Sequence, residues 1–156
     1  QQTLFAPRQY AKGRVSTDSW GGYPAAQSRL IRTLAEAAPR NTVLLGGDIH
    51  QNYVCRIENP NASSHQAPQI VASEFCGTSI TSHSGTTQAK VDAMLRHNPH
   101  ILLARCEERG YGLCTITPKL WTTELRVLDD PLRADSNAHT QARFVVQDRV
   151  PGPQWA

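Results

Sequence analysis

The chain has 156 residues, 39% hydrophobic and 19% charged, enough for one folded domain with its own core and too balanced for a disordered or fibrous protein. Its net charge of +3 comes from scattered Arg and Lys, which mildly favours an anionic ligand, and no nucleic-acid partner is expected. No apolar run of about eighteen residues occurs, so no transmembrane segment is expected.

The sequence opens on Gln1-Gln2-Thr3 with no Met, no charged leader and no apolar run. No signal peptide is therefore expected, and processing or nicking of a longer precursor is the expected origin of this start. Residues 1–22 are rich in Gly, Ser, Arg and Gln and read as irregular. Pro24 suits the first position of a helix, where its missing N–H costs nothing. Leu30, Ile31, Leu34, Ala35 and Ala38 then recur at helical spacing, until Pro39 and Asn41 end the helix. Residues 42–45 form a short apolar run between turn residues, the mark of a buried strand, and that strand runs into Gly46-Gly47-Asp48.

Residues 53–57 read as a second strand, 59–67 as a loop and 69–76 as a third strand, before the polar stretch 77–82. A helix over 86–97 closes at Asn98-Pro99. Strands follow over 101–107, 111–117 and 120–128, the last two joined by Pro118-Lys119, and a short strand over 144–147 precedes a Pro/Gly tail. Mixed order with strands in excess predicts an α/β fold of α+β layering.

Cys55, Cys76, Cys106 and Cys114 contain no C-x-x-C pair, which argues against a zinc knuckle. They read either as small buried hydrophobes or, for Cys106 and Cys114, as a cross-link between adjacent strands.

Gly46-Gly47-Asp48-Ile49-His50 is the strongest local signal for chemistry. Ligand sites in open α/β sheets lie beyond the carboxyl ends of strands, where glycines allow a tight turn and a close approach. Asp48 and His50, two apart on an extended chain, would point to one side and offer a hard oxygen and an imidazole nitrogen to a metal. The alternative is a hydrogen-bonded Asp–His pair at a strand end.

Around this segment stand Asp18-Ser19-Trp20-Gly21-Gly22-Tyr23-Pro24, then the stretch from Val71 through Glu74 to Ser82, then Asn98-Pro99-His100-Ile101 and Gly110-Tyr111. From about Asp18 to Trp121 this ordered series resembles the C-terminal portion of PhoD-like alkaline phosphatases and phosphodiesterases, a branch of the calcineurin-like metallophosphoesterases. The resemblance implies a β-sandwich flanked by helices, two or more metal ions, commonly iron with calcium, and an exported protein. It implies hydrolysis of phosphate monoesters or diesters by a metal-bound hydroxide, including phospholipase D-like action on phospholipid head groups. By position, Asp48 and His50 match the family's late Asp-x-His ligands, although Gly46 stands where Thr is usual.

Asp18 is implied as a further ligand or an acceptor beside the metals, against the reading that it caps a turn. Trp20 and Tyr23 are implied at the substrate, against the reading that they plug the core at the helix entry. Glu74 is implied at the substrate with them, where it would orient His50 or a metal-bound water, or it would simply bond nearby hydroxyls and backbone. Ser79, Thr81 and Ser82 offer donors to a phosphate, though such hydroxyls usually satisfy turns. His100 is expected to cap or pack, and His65, His83, His97 and His139 to lie on the surface. The family's earlier ligands lie in an N-terminal half not found here. A heterodimer with an N-terminal fragment of the same precursor is therefore expected, or else a non-catalytic binding fragment inactive without its partner chain.

Overall fold

The computed structural model describes residues 1–62 and 67–156. The elements in chain order are α1 (Pro24–Ala37), β1 (Val43–Gly46), β2 (Asn52–Glu58), β3 (Ile70–Cys76), α2 (Gln88–Leu95), β4 (Ile101–Arg105), β5 (Gly110–Ile116), β6 (Leu120–Leu128), β7 (Ala138–Gln147) and β8 (Gln154–Trp155). They form two four-stranded sheets, ordered β1-β3-β2-β4 and β5-β6-β7-β8. In the first, β1 runs parallel to β3, while β2 is antiparallel to both β3 and β4. The second is antiparallel throughout.

Residue alternation along the strands assigns the layers. Tyr53, Cys55 and Ile57 face one way, with Ile31 of α1 and with Val91 and Met94 of α2. Val54, Phe75 and Leu103 face the other way, against Leu125, Ala142, Phe144 and Val146 of the second sheet. The first sheet is thus covered by helices on one face and the second sheet on the other, which is why β2 and β3 read as apolar runs. The buried strand expected over 42–45 is instead the half-buried edge strand β1, with Leu45 exposed. On β6, Glu124 and Arg126 alternate with buried Leu125 and Val127, and they bond to Arg143 and Thr140 of β7. This is the α+β layering that the sequence predicts, in the form of the helix-flanked sandwich that the resemblance implies.

Three departures have physical causes. Residues 1–9 are irregular, as expected, but not peripheral, because Leu4, Phe5 and Ala6 are buried within the helix-side core. The segment crosses the sheet face, from Gly47, whose N–H donates to the Gln2 carbonyl at 2.9 Å, to Asn98, whose side chain bonds both backbone groups of Gln9. A chain that crosses strands rather than pairing along them leaves no periodic pattern. Second, β7 begins at Ala138 rather than 144, since His139, Thr140 and Gln141 lie at the polar end of the sandwich and carry little hydrophobic alternation. Third, the tail forms β8, with the Trp155 ring 4.1 Å from that of Phe144. The expected loop over 59–67 and the surface placement of His65 fall partly or wholly outside the described residues.

Candidate metal centre

β1 ends at Gly46, where the Gly77 N–H after β3 donates to the Gly46 carbonyl at 2.9 Å, so the two parallel strands stop together. The chain then turns sharply, with the Ile49 N–H on the Gly47 carbonyl at 2.8 Å. Asp48 and His50 both take left-handed backbone, at φ of 71° and 55°. The expectation of an extended Asp-x-His is therefore corrected: both side chains leave from a turn. Asp and His tolerate this region better than most residues, at a cost of about 1 kcal/mol or more each.

Asp48 is exposed, and its nearest polar partner is the Gln2 amide, which donates to Oδ1 at 3.5 Å. The His50 Nδ1 lies 3.1 Å from the carbonyl oxygen of His83. A carbonyl only accepts, so Nδ1 carries the proton and Nε2 keeps its lone pair. Metal-binding imidazoles are oriented by the same kind of bond.

Asp48 borders a cleft of about 510 Å³ that is also lined by Gln2, Asp18, Trp20 and Tyr23. The Trp20–Gly22 turn positions these groups, closed by the Tyr23 N–H on the Trp20 carbonyl at 2.9 Å. It packs so tightly that a Cβ on Gly21 would stand 2.4 Å from the Ser16 carbonyl oxygen, and one on Gly22 2.2 Å from that of Thr17. Trp20 lies half-buried, its ring 4.9 Å from Phe5, whereas Tyr23 is 69% exposed. Tyr23 therefore plugs no core and is free to meet a bound molecule.

Glu74 is elsewhere. The β3 register puts it on the helix side with Ala72 and Cys76, and it is fully buried. Oε1 accepts from the Phe5 N–H at 2.6 Å and from the Gln1 side-chain amide at 2.8 Å, and Oε2 accepts from the Ala6 N–H at 2.8 Å. Burial pushes its pKa up to about 7, against the pull of those donors. A substrate-contacting or His50-orienting role is corrected on this ground: both oxygens are engaged beneath the surface, fastening the crossing segment.

The other candidates satisfy their surroundings. The Ser79 hydroxyl bonds the Ser82 carbonyl, and Thr81 and Ser82 are exposed. His100 Nε2 bonds the Pro7 carbonyl at 2.9 Å, in keeping with a packing role. His83 meets Arg109, His139 meets Asp129 at 2.7 Å, and His97 is exposed. All four cysteines are free thiols, with Cys114 beside Thr123 rather than Cys106. Cys76 donates to the Gly47 carbonyl at 3.3 Å, and burial pushes its pKa up to about 12, so it stays a neutral donor beside the turn.

Among the described residues no group of three or more His, Cys, Asp or Glu is arranged to hold a metal ion. Asp48 and Asp18 border one cleft whose lining does not include His50. The three have the donor types of part of a centre, and the Nε2-available form of His50 fits that use. Sequence reasoning missed Gln2 and the His83 carbonyl. Of these, only the apolar Leu4-Phe5-Ala6 in a polar opening stretch hinted that the start of the chain is built into the fold.

A profile of the PhoD-like phosphatase family matches residues 1–125. Alkaline phosphatase D of Bacillus subtilis (strain 168) is 34% identical over 152 residues, which cover 94% of this chain and 26% of that protein. The solved structure of PhoD superposes with a TM-score of 0.87 at 33% identity, over all of this chain and 30% of that one. The chain thus spans between a quarter and a third of the length of these relatives. On a match that takes in most of its residues, it belongs to the PhoD-like phosphatase family.

Proposed function

We propose that this chain is the C-terminal portion of a metal-dependent phosphoesterase that hydrolyses phosphate monoesters or diesters, a lipid head group among the candidates. The observation that carries the reading is the bond from His50 to the His83 carbonyl, which leaves Nε2 as the ring's remaining donor atom two residues from Asp48, just beyond the end of β1. Asp48 and His50 would be ligands, and Asp18 a ligand or an acceptor at the rim of the same cleft. Bound metal ions, iron and calcium by family resemblance, would supply positive charge against the phosphoryl oxygens and acidify the attacking water. Trp20 and Tyr23 would hold the organic part of the ester, Tyr23 from its exposed position.

Three donors do not complete such a centre, so the remaining ligands are proposed to come from further polypeptide, most simply an N-terminal fragment of the same precursor. Exposed apolar residues support a covering partner: Leu45 on β1, and Tyr111, Leu113 and Ile116 on β5. Export is part of the same proposal and rests on the family resemblance. No helix among the described residues is long and apolar enough to cross a membrane.

The test is to assay the chain with and without the remaining family polypeptide, on p-nitrophenyl phosphate and its bis ester, with metal content measured in parallel. The chain alone should be inactive and metal-poor, and the combination active. Robust turnover by the chain alone would sink the shared-centre reading. If the combined polypeptides stay inactive with full metal content, the second reading, a non-catalytic binding fragment, takes its place.

A further inference from the structure

The segment that crosses the sheet leads to a cation that no carboxylate neutralises. Arg8 is only 8% exposed, its Nη2 donates to the Ser16 hydroxyl at 2.9 Å, and its Nε has no acceptor among the described residues. Its guanidinium carbon stands 6.0 Å from the centre of the Tyr53 ring, and none of the ion pairs among the described residues involves it. Glu74 feels the Arg8 charge, but its oxygens already serve three N–H donors and burial favours its neutral form. A guanidinium held largely out of water with hydroxyl partners and no direct ion pair is costly unless an oxyanion meets it.

Arg8 lines a cavity of about 610 Å³, separate in its lining from the cleft beside Asp48. Arg14, from the same stretch of chain, and Lys90 and Arg96, from α2 and its end, stand around it. Four of the 16 Lys and Arg residues line this space, with none of the 13 acidic ones. In a chain whose net charge is only +3, that is a local concentration rather than an overall bias. Tyr10, Tyr53 and Met94 add an apolar wall.

We propose that this cavity binds a phosphate-type oxyanion, free or as the end group of an organic phosphate. Arg8 is the buried anchor, and Arg14, Lys90 and Arg96 close over the remaining oxygens. The guanidinium suits the role, because it is always charged and its N–H groups donate directionally to an oxyanion. The Tyr10–Met94 wall would accept an organic substituent. Because the two spaces share no lining residue, this inference does not rest on the metal-centre reading.

Titration calorimetry on the full chain in EDTA tests it, with inorganic phosphate and glycerol 3-phosphate as probes. EDTA removes metal-borne phosphate binding, so failure here and failure of the proposed function are separable. Saturable binding is expected for at least one probe, weakened roughly tenfold by Arg8→Gln and severalfold by Arg96→Ala or Arg14→Ala, and falling with added salt. The tighter probe tells a free anion from an esterified one. Arg14 and Arg96 are exposed, so their variants keep the test valid even if Arg8→Gln fails to fold. No saturable binding of either probe, or unchanged affinity in Arg14→Ala and Arg96→Ala, would overturn the proposal.

Discussion

His50 and His83 are joined by a bond of 3.1 Å from the imidazole Nδ1 to a main-chain carbonyl. It ties the turn after β1 to the polar stretch after β3, and it fixes which ring nitrogen keeps its lone pair. A family likeness in sequence names the residue; this bond supplies a physical reason why its Nε2 can serve as a donor.

His50→Ala in the complete enzyme should lower both metal content and turnover, the latter by roughly a hundredfold or more, because a donor is lost. Metal analysis and hydrolysis of p-nitrophenyl phosphate, run on the same preparation, read both. A near-normal rate with full metal occupancy would show that His50 is not a ligand.

Glu74 predicts a pH dependence of stability. Its pKa in the folded chain is raised to about 7 from an ordinary value of 4.5, chiefly by burial. The folded state therefore binds more protons than the unfolded state between those values. The stability it contributes is fully present below pH 4.5 and is lost as pH rises to 7, on the order of 3 kcal/mol for a shift of this size. Chemical denaturation of wild type and Glu74→Gln across pH 4.5–7 should show the difference between them changing in that direction. A constant difference would mean the carboxyl titrates as if exposed.

Gly21→Ala and Gly22→Ala should each destabilise the fold by about 1–3 kcal/mol, since each added Cβ meets a backbone carbonyl oxygen within 2.4 Å. The strain would move the turn that carries Trp20 and Tyr23. KM should accordingly rise in the complete enzyme even where the variant folds. Stability equal to wild type in both variants would mean that the turn is looser than its geometry implies.

Phe144→Ala should cost about 3–5 kcal/mol, as its ring is fully buried between the sheets and packs at a tilt against Trp155. Trp155→Ala, at an exposed position, should cost far less. Equilibrium denaturation of the two variants gives the comparison, and equal losses would contradict the placement of the inter-sheet core.

Elements whose residues meet near neighbours were legible in the sequence. Pro24 starts α1 where it should, and Leu120–Leu128 matches the alternation of Leu125 and Val127 with Glu124 and Arg126. The strand running into Gly46 was legible because a short apolar run between turn residues has few other uses. At the site, the pairing of Asp48 with His50 was visible, but their left-handed backbone was not, since a D-x-H triplet fits a strand as well as a turn. Glu74 misled because a strand carboxylate before a polar turn resembles a site residue. Its true partners, the amides of Phe5 and Ala6, lie 69 and 68 residues away.

The crossing segment also bears on the order of folding. The long-range anchors of residues 1–9 include Gln27 of α1, then Gly47, Glu74 and Asn98, each made later than the segment it holds. During synthesis the Phe5 and Ala6 N–H groups wait for Glu74 of β3, and the side-chain bonds to Gln9 wait for Asn98. Contacts of such sequence separation form slowly, and the apolar stretch invites association while it waits. Residues 1–9 are thus made before β3 and residue 98, which complete their fastening.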